Sequence, residues 1–466
     1  MRQSKSKLGL AWVVACWFTG MVGCTILPDA NQKLNTSGTR RLNIENTHDA
    51  TPEAASKLVL GKVEHNQLLT DVLQQHLARE QAINPGSPLV SGNHVVLLQD
   101  GPATYQAMFT AIRNAKEHIN LESYIIDADE VGEQFSELLL AKQAAGVQVN
   151  LIYDSVGCVN TPKSFFDHLT ESGIQILAFN PINPLIKRFR PWRLNNRDHR
   201  KLLVIDGRIA FLGGINISKT YSSNSFSRHS KKKTARVAGW RDTDVQIEGP
   251  VVAEFQKLFL DTWARQKGPA LKQLDYFPTL NPQGEETVRA IGNNADDPQS
   301  PIYLTLISVL SHAQREIHMT IAYFVPDAQL LKAFTDAARR GVDVKLVLPS
   351  YSDSTIMFNL GRSYYEQLLD AGVEIYELRG AVMHSKTAYI DGVWSTIGST
   401  NMDRRSFLHN NEINAVVLGN RFAAQMGAMF AEDIKDSNLI SLEYWRKRSW
   451  FQRMQERFAR VGAYWL

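Results

Sequence analysis

Cysteine is scarce in this chain, whose 466 residues include three, Cys16, Cys24 and Cys158. If the N-terminal segment that holds the first is removed and the second is modified, Cys158 has no partner for an intramolecular disulfide. A small disulfide-stapled scaffold is therefore excluded. The length suits two or three domains of about 100–200 residues each, and each must be held by a hydrophobic core. Cys158 is interpreted as a buried, small apolar side chain rather than as a nucleophile.

An excess of charge of one sign is also lacking. The chain has 51 Lys and Arg against 47 Asp and Glu, and three of the basic residues, Arg2, Lys5 and Lys7, lie at the N terminus. Without these three, the 48 remaining basic residues nearly balance the 47 acidic ones. Enzymes that act on nucleic acids usually carry a strongly basic surface. No nucleic-acid partner is therefore expected.

What the sequence does contain is one pattern that occurs twice. In each copy a lysine follows a histidine by two residues, an aspartate follows it by seven and an asparagine by seventeen. The members of the two copies are His199, Lys201, Asp206 and Asn216, and His384, Lys386, Asp391 and Asn401. Two copies in the same register indicate a duplicated domain with a paired site.

Each histidine and lysine pair lies in a predicted strand. Side chains alternate between the two faces of a strand, so residues two apart, such as His199 and Lys201, project together. The Asp-Gly after each strand predicts a tight hairpin turn, because Asp and Gly tolerate a positive φ. The segments that end at Asn216 and Asn401 are expected to return beside the two strands.

Helices and strands alternate in both halves of the chain, which indicates an α/β fold. The predicted strands are 119–126 and 147–153 in the first half and 316–322 and 342–348 in the second, and the helices between them are 131–145 and 327–340. Tyr124 and Tyr323 fall at matching places in the two halves. The repeat thus extends beyond the histidine and lysine motifs.

The two H-x-K-x4-D segments and their trailing G-[GS]-x-N resemble the phospholipase D superfamily, and more closely its bacterial cardiolipin synthase branch. The resemblance extends from about Val96 to the C terminus. It implies two phospholipase D-like repeats, each a mixed sheet flanked by helices, with one active site at the repeat interface. It also implies phosphatidyl transfer through a phosphohistidine, in which two phosphatidylglycerol molecules give cardiolipin and glycerol, with no cofactor.

Three other functions are open. A phospholipase D hydrolase would release phosphatidic acid, because water can replace the acceptor alcohol in the second step. A nuclease of the same superfamily would use the same catalytic residues, but the charge balance argues against it. A lipid-binding or scaffold protein without activity would not need two intact motifs.

Phosphodiester exchange requires a nucleophile, an acid for the leaving alkoxide and positive groups around the phosphoryl oxygens. One imidazole has to attack in its neutral form while the other donates a proton. The resemblance implies that His199 is the nucleophile and His384 the acid, whereas the residues themselves leave this order open. Lys201 and Lys386 would bind the oxygens, and they argue against a metal site because they bring competing positive charge. The further hydrogen-bond donors to the substrate would be Asn216, Ser399 and Asn401.

Two carboxylates are candidates for orienting the histidines. Asp242 and Glu412 occupy matching places in the two copies, and in the resembled family a residue here hydrogen-bonds the histidine. Asp206 and Asp391 are interpreted first as turn residues and second as functional ones. Ser399 in the second copy corresponds to a glycine in the first, which predicts an asymmetric phosphate pocket.

The N terminus is predicted to hold the protein at a membrane. An apolar run from Leu8 ends at Gly23-Cys24, which resembles a bacterial lipoprotein signal with Cys24 as the lipidated residue. The alternative is an uncleaved anchor, because 8–27 has about the length that crosses a bilayer. Both predictions place the rest of the chain in the cell envelope, facing the periplasm or the exterior.

Three segments are rich in basic and aromatic residues: 187–193, 228–241 with its three lysines at 231–233, and 444–466. In the last, Phe451, Met454, Phe458, Val461 and Trp465 recur at helical spacing, opposite Arg453, Arg457 and Arg460. This pattern predicts a basic amphipathic helix suited to an anionic lipid surface, or alternatively a helix docked on the protein with its charges in water. The expected partners are therefore a phospholipid substrate, phosphatidylglycerol, and a membrane surface.

The sequence thus divides into seven predicted segments. These are a signal or membrane anchor at 1–24, a flexible tether at 25–60, a helical N-terminal segment at 61–95, a first phospholipase D-like repeat at 96–266, a linker at 267–301, a second repeat at 302–434, and a basic amphipathic segment at 435–466. The helical segment is expected to pack on the protein through its leucine and valine residues.

Overall fold

A computed structural model describes most of the chain. The described residues are 27–30, 32–33, 44–45, 67–183, 193–223, 239–295 and 297–462. The predicted signal with Cys24, most of the tether and the basic segments at 187–192 and 231–233 lie outside them. Within the described ranges, no helix combines the length and the apolar character that crossing a bilayer requires.

Helices and strands alternate along both halves, as the sequence predicts. The helices are α1 (Gln67–Ile83), α2 (Asp100–Asn114), α3 (Glu130–Ala144), α4 (Lys163–Glu171), α5 (Val252–Arg265), α6 (Pro301–His312), α7 (Ala328–Arg339), α8 (Thr355–Arg362), α9 (Tyr365–Asp370), α10 (Arg404–Leu408), α11 (Asn420–Lys435), α12 (Leu442–Arg446) and α13 (Trp450–Gly462). The strands are β1 (Ile44–Glu45), β2 (Leu89–Gln99), β3 (His118–Ser123), β4 (Gln148–Asp154), β5 (Gln175–Phe179), β6 (Arg197–Asp198), β7 (Lys201–Ile205), β8 (Ile209–Gly213), β9 (Trp240–Arg241), β10 (Thr243–Glu248), β11 (Glu286–Asn293), β12 (Glu316–Ile321), β13 (Asp343–Pro349), β14 (Glu374–Leu378), β15 (Val382–Met383), β16 (Lys386–Ile390), β17 (Trp394–Gly398), β18 (Asn410–Leu418) and β19 (Ser437–Ile440).

The two halves build their sheets in the same strand order. In the first half the order is β2, β10, β8, β7, β3, β4, β5, and in the second it is β11, β18, β17, β16, β12, β13, β14, with β19 added at the edge. In both halves the last three of the seven strands are parallel, and the others are antiparallel. The predicted duplication, with a mixed sheet in each repeat, is therefore confirmed.

The long strand β2 joins the two sheets. Residues 94–99 of this strand pair with β10 of the first repeat, and an earlier part pairs with β11 of the second. A hydrophobic core that contains Val245, Phe255 and Phe259 of the first repeat and Ile413 and Phe422 of the second lies where the repeats meet. The two repeats thus share both backbone hydrogen bonds and a core.

The Asp-Gly hairpins form as predicted. Asp206 and Gly207 have φ of 53° and 62°, and Asp391 and Gly392 have φ of 56° and 71°. Positive φ at both central residues defines the tight turn whose twist matches that of the flanking strands. After each turn, the next strand runs back and pairs with the strand that follows the histidine.

Helix α1 packs on the second repeat, as its pattern predicts. Val72, Leu73 and Leu77 are buried in the core of that repeat. On the same helix, a carboxylate oxygen of Glu80 lies 3.0 Å from Arg289 Nη1 and the other accepts a 3.0 Å hydrogen bond from the indole of Trp394. The segment before the first repeat is therefore part of the folded structure.

Four predicted segments differ from the structure. The predicted flexible tether at 25–60 contains Leu27, Ala30 and Ile44, which are buried in the core of the second repeat, and β1, which pairs with β2. The helical segment at 61–95 ends at Ile83, since 89–95 already belongs to β2. The linker at 267–301 contains β11, the strand by which the second sheet reaches the first. The segment at 435–466 contains β19, which pairs with β14. In the linker, the prolines, glycines and asparagines that flank β11 concealed its alternating pattern.

Candidate active site

Short parallel pairings across the repeats bring the two histidines together. The strand β6, just before His199, pairs with the start of β18, and β15, just before His384, pairs with β9. The backbone N–H of His199 donates to the carbonyl of Asn411 at 3.0 Å, and that of His384 donates to the carbonyl of Arg241 at 2.8 Å. Each histidine therefore lies beside a residue of the other repeat, His199 beside the residue after Asn411 and His384 beside the residue after Arg241.

Those residues are the two predicted orienting carboxylates. Nδ1 of His199 lies 3.0 and 3.1 Å from the two carboxylate oxygens of Glu412, and Nδ1 of His384 lies 2.7 Å from an oxygen of Asp242. The sequence predicts both carboxylates but not that each contacts the histidine of the opposite repeat. The site is thus completed only by residues of both repeats.

Burial lowers the pKa of His199 and of His384 to about 4. A nearby lysine acts in the same direction on each histidine, while the contacting carboxylate opposes the shift. Burial by itself would raise the pKa of Asp242 and Glu412, but contact with a histidine and the nearby lysine hold the pKa of each carboxyl below its usual value. An ionised carboxylate can only accept, so each Nδ1 carries the proton and each Nε2 keeps its lone pair.

The two lysines are buried next to the histidines. Burial lowers the pKa of Lys201 to about 7 and that of Lys386 to about 8, although the carboxylates Glu412 and Asp242 oppose the shift. Nζ of Lys201 donates to the carbonyl of His199 at 2.6 Å, and Lys386 makes the equivalent bond to His384. Each lysine side chain thus lies beside the backbone of the histidine in its own motif.

A cavity of about 440 Å³ opens onto both histidines. Aromatic side chains form much of its wall, namely Tyr124, Tyr221, Trp240 and Tyr323. The rings of Tyr124 and His199 are 5.0 Å apart, as are those of Trp240 and His384. The hydroxyl of Tyr323 donates to Asp353 at 2.6 Å. Of these residues, only the matching tyrosines Tyr124 and Tyr323 gave a signal in the sequence.

Asn216 and Asn401 line this cavity, as predicted. The amide of Asn216 donates to the Tyr221 hydroxyl at 2.9 Å and accepts from the backbone of Ile125 at 3.2 Å. The carbonyl oxygen of the Asn401 side chain is buried without a hydrogen-bond partner among the described residues. A phosphoryl oxygen can accept only from the NH₂ group of such an amide, so the unpartnered oxygen of Asn401 would instead accept from a hydroxyl group.

Ser399 does not lie where the sequence places it. Its hydroxyl hydrogen-bonds the carboxylate of Glu412 and accepts from the backbone N–H of Ile413 at 3.0 Å, and its side chain is fully buried. The prediction that Ser399 is a substrate donor is thus corrected to a role in positioning Glu412. At the matching Gly214, a Cβ would lie 2.1 Å from an oxygen of Asp242. The two copies therefore differ in what lies against the orienting carboxylate, which is the Ser399 hydroxyl at Glu412 and Gly214 at Asp242. The sequence places this difference in the phosphate pocket instead.

Asp206 and Asp391 lie at the far end of the strands that follow the histidines. The carboxylate of Asp206 accepts from the backbone N–H groups of residues 116–118 at 2.8 to 2.9 Å. The carboxylate of Asp391 accepts from those of residues 314–316 at 2.8 to 3.2 Å and lies 2.9 Å from Nε2 of His76. These contacts favour the interpretation as turn residues over the catalytic one.

Two other sequence interpretations can be compared with the structure. Cys158 is buried, its sulfur lies 3.2 Å from the backbone N–H of Ile126, and burial raises the pKa of its thiol to about 12. A thiol that stays protonated is a poor nucleophile. Across the part of the chain that the structure describes, no group of three or more His, Cys, Asp and Glu side chains could hold a metal ion.

The repeated mixed sheet and the paired histidines and lysines define a phospholipase D-like enzyme. The family model described as "Cardiolipin synthase, PLD-like domain" matches residues 108–232 and 306–434, within the two repeats. A cardiolipin synthase of Halalkalibacterium halodurans is 32% identical over 410 residues, which cover 86% of this chain and 79% of the relative. A cardiolipin synthase of Listeria monocytogenes is 33% identical over 384 residues, which cover 81% and 77%. The chain therefore belongs to the cardiolipin synthase family of phospholipase D-like enzymes.

A solved structure shares the fold. The phosphatidylserine synthase of Haemophilus influenzae aligns with a TM-score of 0.63 at 12% identity, over 84% of this chain and 98% of that one. At this identity the likeness shows the fold alone. The predicted α/β architecture of two phospholipase D-like repeats is confirmed.

Proposed function

We propose that the chain joins two phosphatidylglycerol molecules to cardiolipin and glycerol through a phosphohistidine. One observation carries the proposal: each repeat contributes a buried, neutral histidine that the carboxylate of the other repeat holds by Nδ1, and both histidines face one cavity. Family membership and similarity to named cardiolipin synthases support this reaction.

In the first step, Nε2 of His199 attacks the phosphorus of phosphatidylglycerol and the bond to the glycerol oxygen breaks. His384 gives its Nε2 proton to the departing alkoxide, so free glycerol leaves and a phosphatidyl group remains on His199. The charge of the bound phosphodiester offsets that of Lys201 and Lys386, and this raises the pKa of His384 toward the protonated form that the step needs. Glu412 stabilises the positive charge that develops on His199.

In the second step, His384, now neutral, takes the proton from a hydroxyl of the second phosphatidylglycerol. The resulting alkoxide attacks the phosphorus, the bond to His199 Nε2 breaks, and cardiolipin forms. The two lysines stabilise the negative charge on the phosphoryl oxygens in both steps. If water takes the place of the hydroxyl, the same step releases phosphatidic acid.

The proposal extends to location. Because the substrate is a lipid, the enzyme has to work at a membrane surface, and the N-terminal sequence up to Cys24 supports attachment there as a lipoprotein, facing the periplasm or exterior. Lipidation can be tested by labelling cells with a radioactive fatty acid. We expect label in the wild type and none in Cys24→Ser, and label in that variant would contradict the assignment.

Product analysis tests the reaction. Purified protein is incubated with mixed micelles of phosphatidylglycerol and a chelator, and cardiolipin, phosphatidic acid and glycerol are quantified. We expect equal amounts of cardiolipin and glycerol, and no product from His199→Ala. Phosphatidic acid without cardiolipin would instead identify a hydrolase, and full activity of His199→Ala would refute the assignment of the site.

A further inference from the structure

Helix α13 lies on the protein by its polar face. Glu456 is the buried residue of this helix, and its carboxylate lies 2.8 Å from Nη2 of Arg448. Arg460, one turn further, donates to the hydroxyl and the carbonyl of Ser363 at 2.9 and 2.6 Å. The helix is therefore held by charged and polar contacts rather than by its apolar side chains.

The apolar face of α13 is consequently exposed. Trp450 and Phe458 are each 70% exposed, Phe451 is 56% exposed and Met454 is 38% exposed. A helix docked on a soluble protein normally buries these residues, so their exposure favours the sequence interpretation in which the apolar face meets lipid. A cluster of exposed large apolar side chains marks an interaction surface.

A cleft of about 540 Å³ lies between α13 and α9. Five guanidinium groups line it, those of Arg339, Arg448, Arg453, Arg457 and Arg460, against the three carboxylates of Glu366, Asp370 and Glu456. The side of the helix that faces the protein thus borders a cavity with more positive than negative charges.

Two arginines form ion pairs with the carboxylates of the cleft. Asp370 lies 2.7 Å from Arg446, Glu456 lies 2.8 Å from Arg448, and Glu366 lies within 3.8 Å of both arginines. Arg453 and Arg457 have no ion pair with a described residue, although the guanidinium of Arg453 donates to the carbonyl of Arg446. Their charges are not balanced by a carboxylate, and the fork of a guanidinium matches a phosphate group.

One helix links α13 to the active site. Helix α8 packs against α13, and Met357 of α8 lines the catalytic cavity. Its neighbour Ile356 is 56% exposed. Helix α8 therefore contacts both α13 and the catalytic cavity.

We propose that α13 and its cleft form a membrane-docking site separate from the catalytic cavity. Arg453 and Arg457 bind the phosphate of an anionic phospholipid that stays in the bilayer, outside the catalytic cavity, while Trp450, Phe451 and Phe458 enter the interfacial layer of the bilayer. Aromatic residues beside basic ones are the combination that interfacial helices use. The proposal concerns binding and does not depend on the product of the catalytic reaction.

Binding to vesicles tests the docking site. The full chain is sedimented with vesicles of phosphatidylglycerol or of phosphatidylcholine, as wild type, as Arg453→Ala/Arg457→Ala and as Trp450→Ala/Phe458→Ala. An arginine near an anionic surface contributes about fivefold in affinity, so the arginine pair should bind phosphatidylglycerol about 25-fold more weakly and phosphatidylcholine equally well. The aromatic pair should bind both about tenfold more weakly, because it removes buried apolar area.

Matched controls use exposed residues of the first repeat and of the segment that follows it. Arg265→Ala and Phe277→Ala remove an exposed arginine and a half-exposed aromatic ring elsewhere, and each should bind like the wild type. All variants keep the same N terminus, so any attachment through it is common to all of them. Equal thermal midpoints establish that the variants fold.

Two outcomes would overturn the proposal. Unchanged affinity of both paired variants for phosphatidylglycerol vesicles would show that α13 does not contact the bilayer. If vesicle affinity is unchanged but the aromatic pair alters the sedimentation coefficient of the lipid-free protein, the exposed face binds a second copy of the chain instead.

Discussion

The carboxylate of Glu412 contacts Nδ1 of His199 at 3.0 Å, although 213 positions and the boundary between the repeats separate the two residues. Asp242 makes the reciprocal contact with His384 across 142 positions. A carboxylate of the other repeat therefore fixes the tautomer of each histidine. Substituting that carboxylate in one repeat should impair the histidine of the other repeat.

Glu412→Gln should lower kcat/KM by about 10²- to 10⁴-fold, because the neutral amide no longer fixes the Nδ1–H tautomer or stabilises the imidazolium. The rate of adduct formation on His199 should fall by a similar factor, because Glu412 acts through that histidine. Steady-state kinetics and single-turnover labelling of wild type and Glu412→Gln give the two measurements. An unchanged rate of adduct formation would show that Glu412 does not act through His199.

The two histidines should differ in the step that each supports. His199→Ala should form no covalent adduct with a labelled phosphatidyl substrate, while His384→Ala should still form one slowly. A substrate with a nitrophenolate leaving group needs no acid in the first step, so it should restore much of the rate of adduct formation, read as a burst of nitrophenolate, in His384→Ala and none in His199→Ala. Adduct in His199→Ala and none in His384→Ala would reverse the two roles.

The pH dependence should follow the histidines and the lysines. Burial places the pKa of His199 at about 4, and the nucleophile is lost when it gains a proton, so kcat/KM should fall as the pH drops through that value. Lys201 and Lys386, with pKa values of about 7 and about 8, lose their charge as the pH rises through these values, and the acid His384 must keep its proton, so activity should fall as the pH rises through this range. The profile reports apparent pKa values of the coupled group.

Lys201→Arg provides a check of that assignment. Guanidinium stays protonated well above pH 8, so the alkaline decrease in kcat/KM should move to higher pH even if the maximum rate is lower. An unmoved alkaline limb would assign the decrease to another group.

Asp206→Asn and Asp391→Asn should reduce stability rather than catalysis. Each carboxylate accepts from three successive backbone N–H groups, and weakening these bonds should cost about 1–3 kcal/mol of unfolding free energy, with kcat/KM within about twofold of wild type. The pKa of Asp391 is held below its ordinary value, so its contribution is present at neutral pH and should be lost as the pH falls toward and below that value.

Chemical denaturation and steady-state kinetics on the same samples separate the two possibilities. His76→Ala serves as a control for Asp391, because it removes the contact to Nε2 without altering the strand. A large loss of kcat/KM at an unchanged unfolding free energy would instead establish a direct catalytic role for the aspartates.

Features set by local sequence were predictable. The alternation around His199 and Lys201, the positive φ of Asp206 and the matching spacing of the second copy all depend on neighbouring residues. Whether Glu412 contacts His199 or His384 depends on how the two repeats face each other. The repeated motif would read the same if each carboxylate contacted the histidine of its own repeat, so the sequence does not distinguish the two arrangements.

The misplaced predictions have related causes. Ser399 aligns with Gly214, but alignment does not show that the hydroxyl turns toward Glu412 instead of the cavity. The periodicity of α13 correctly separates aromatic from basic residues, yet it cannot show which face meets the protein. In each case the answer lies in contacts between segments that are distant in the sequence.

The strand β2 also limits how a lipid can reach the site. One continuous strand of 11 residues carries hydrogen bonds to both sheets, and a shared core lies beside it. The two repeats are therefore joined along this strand by backbone hydrogen bonds, and a core shared by both repeats supports the join. A phospholipid headgroup that reaches the histidines has to fit between walls that belong to different repeats and that this strand holds side by side.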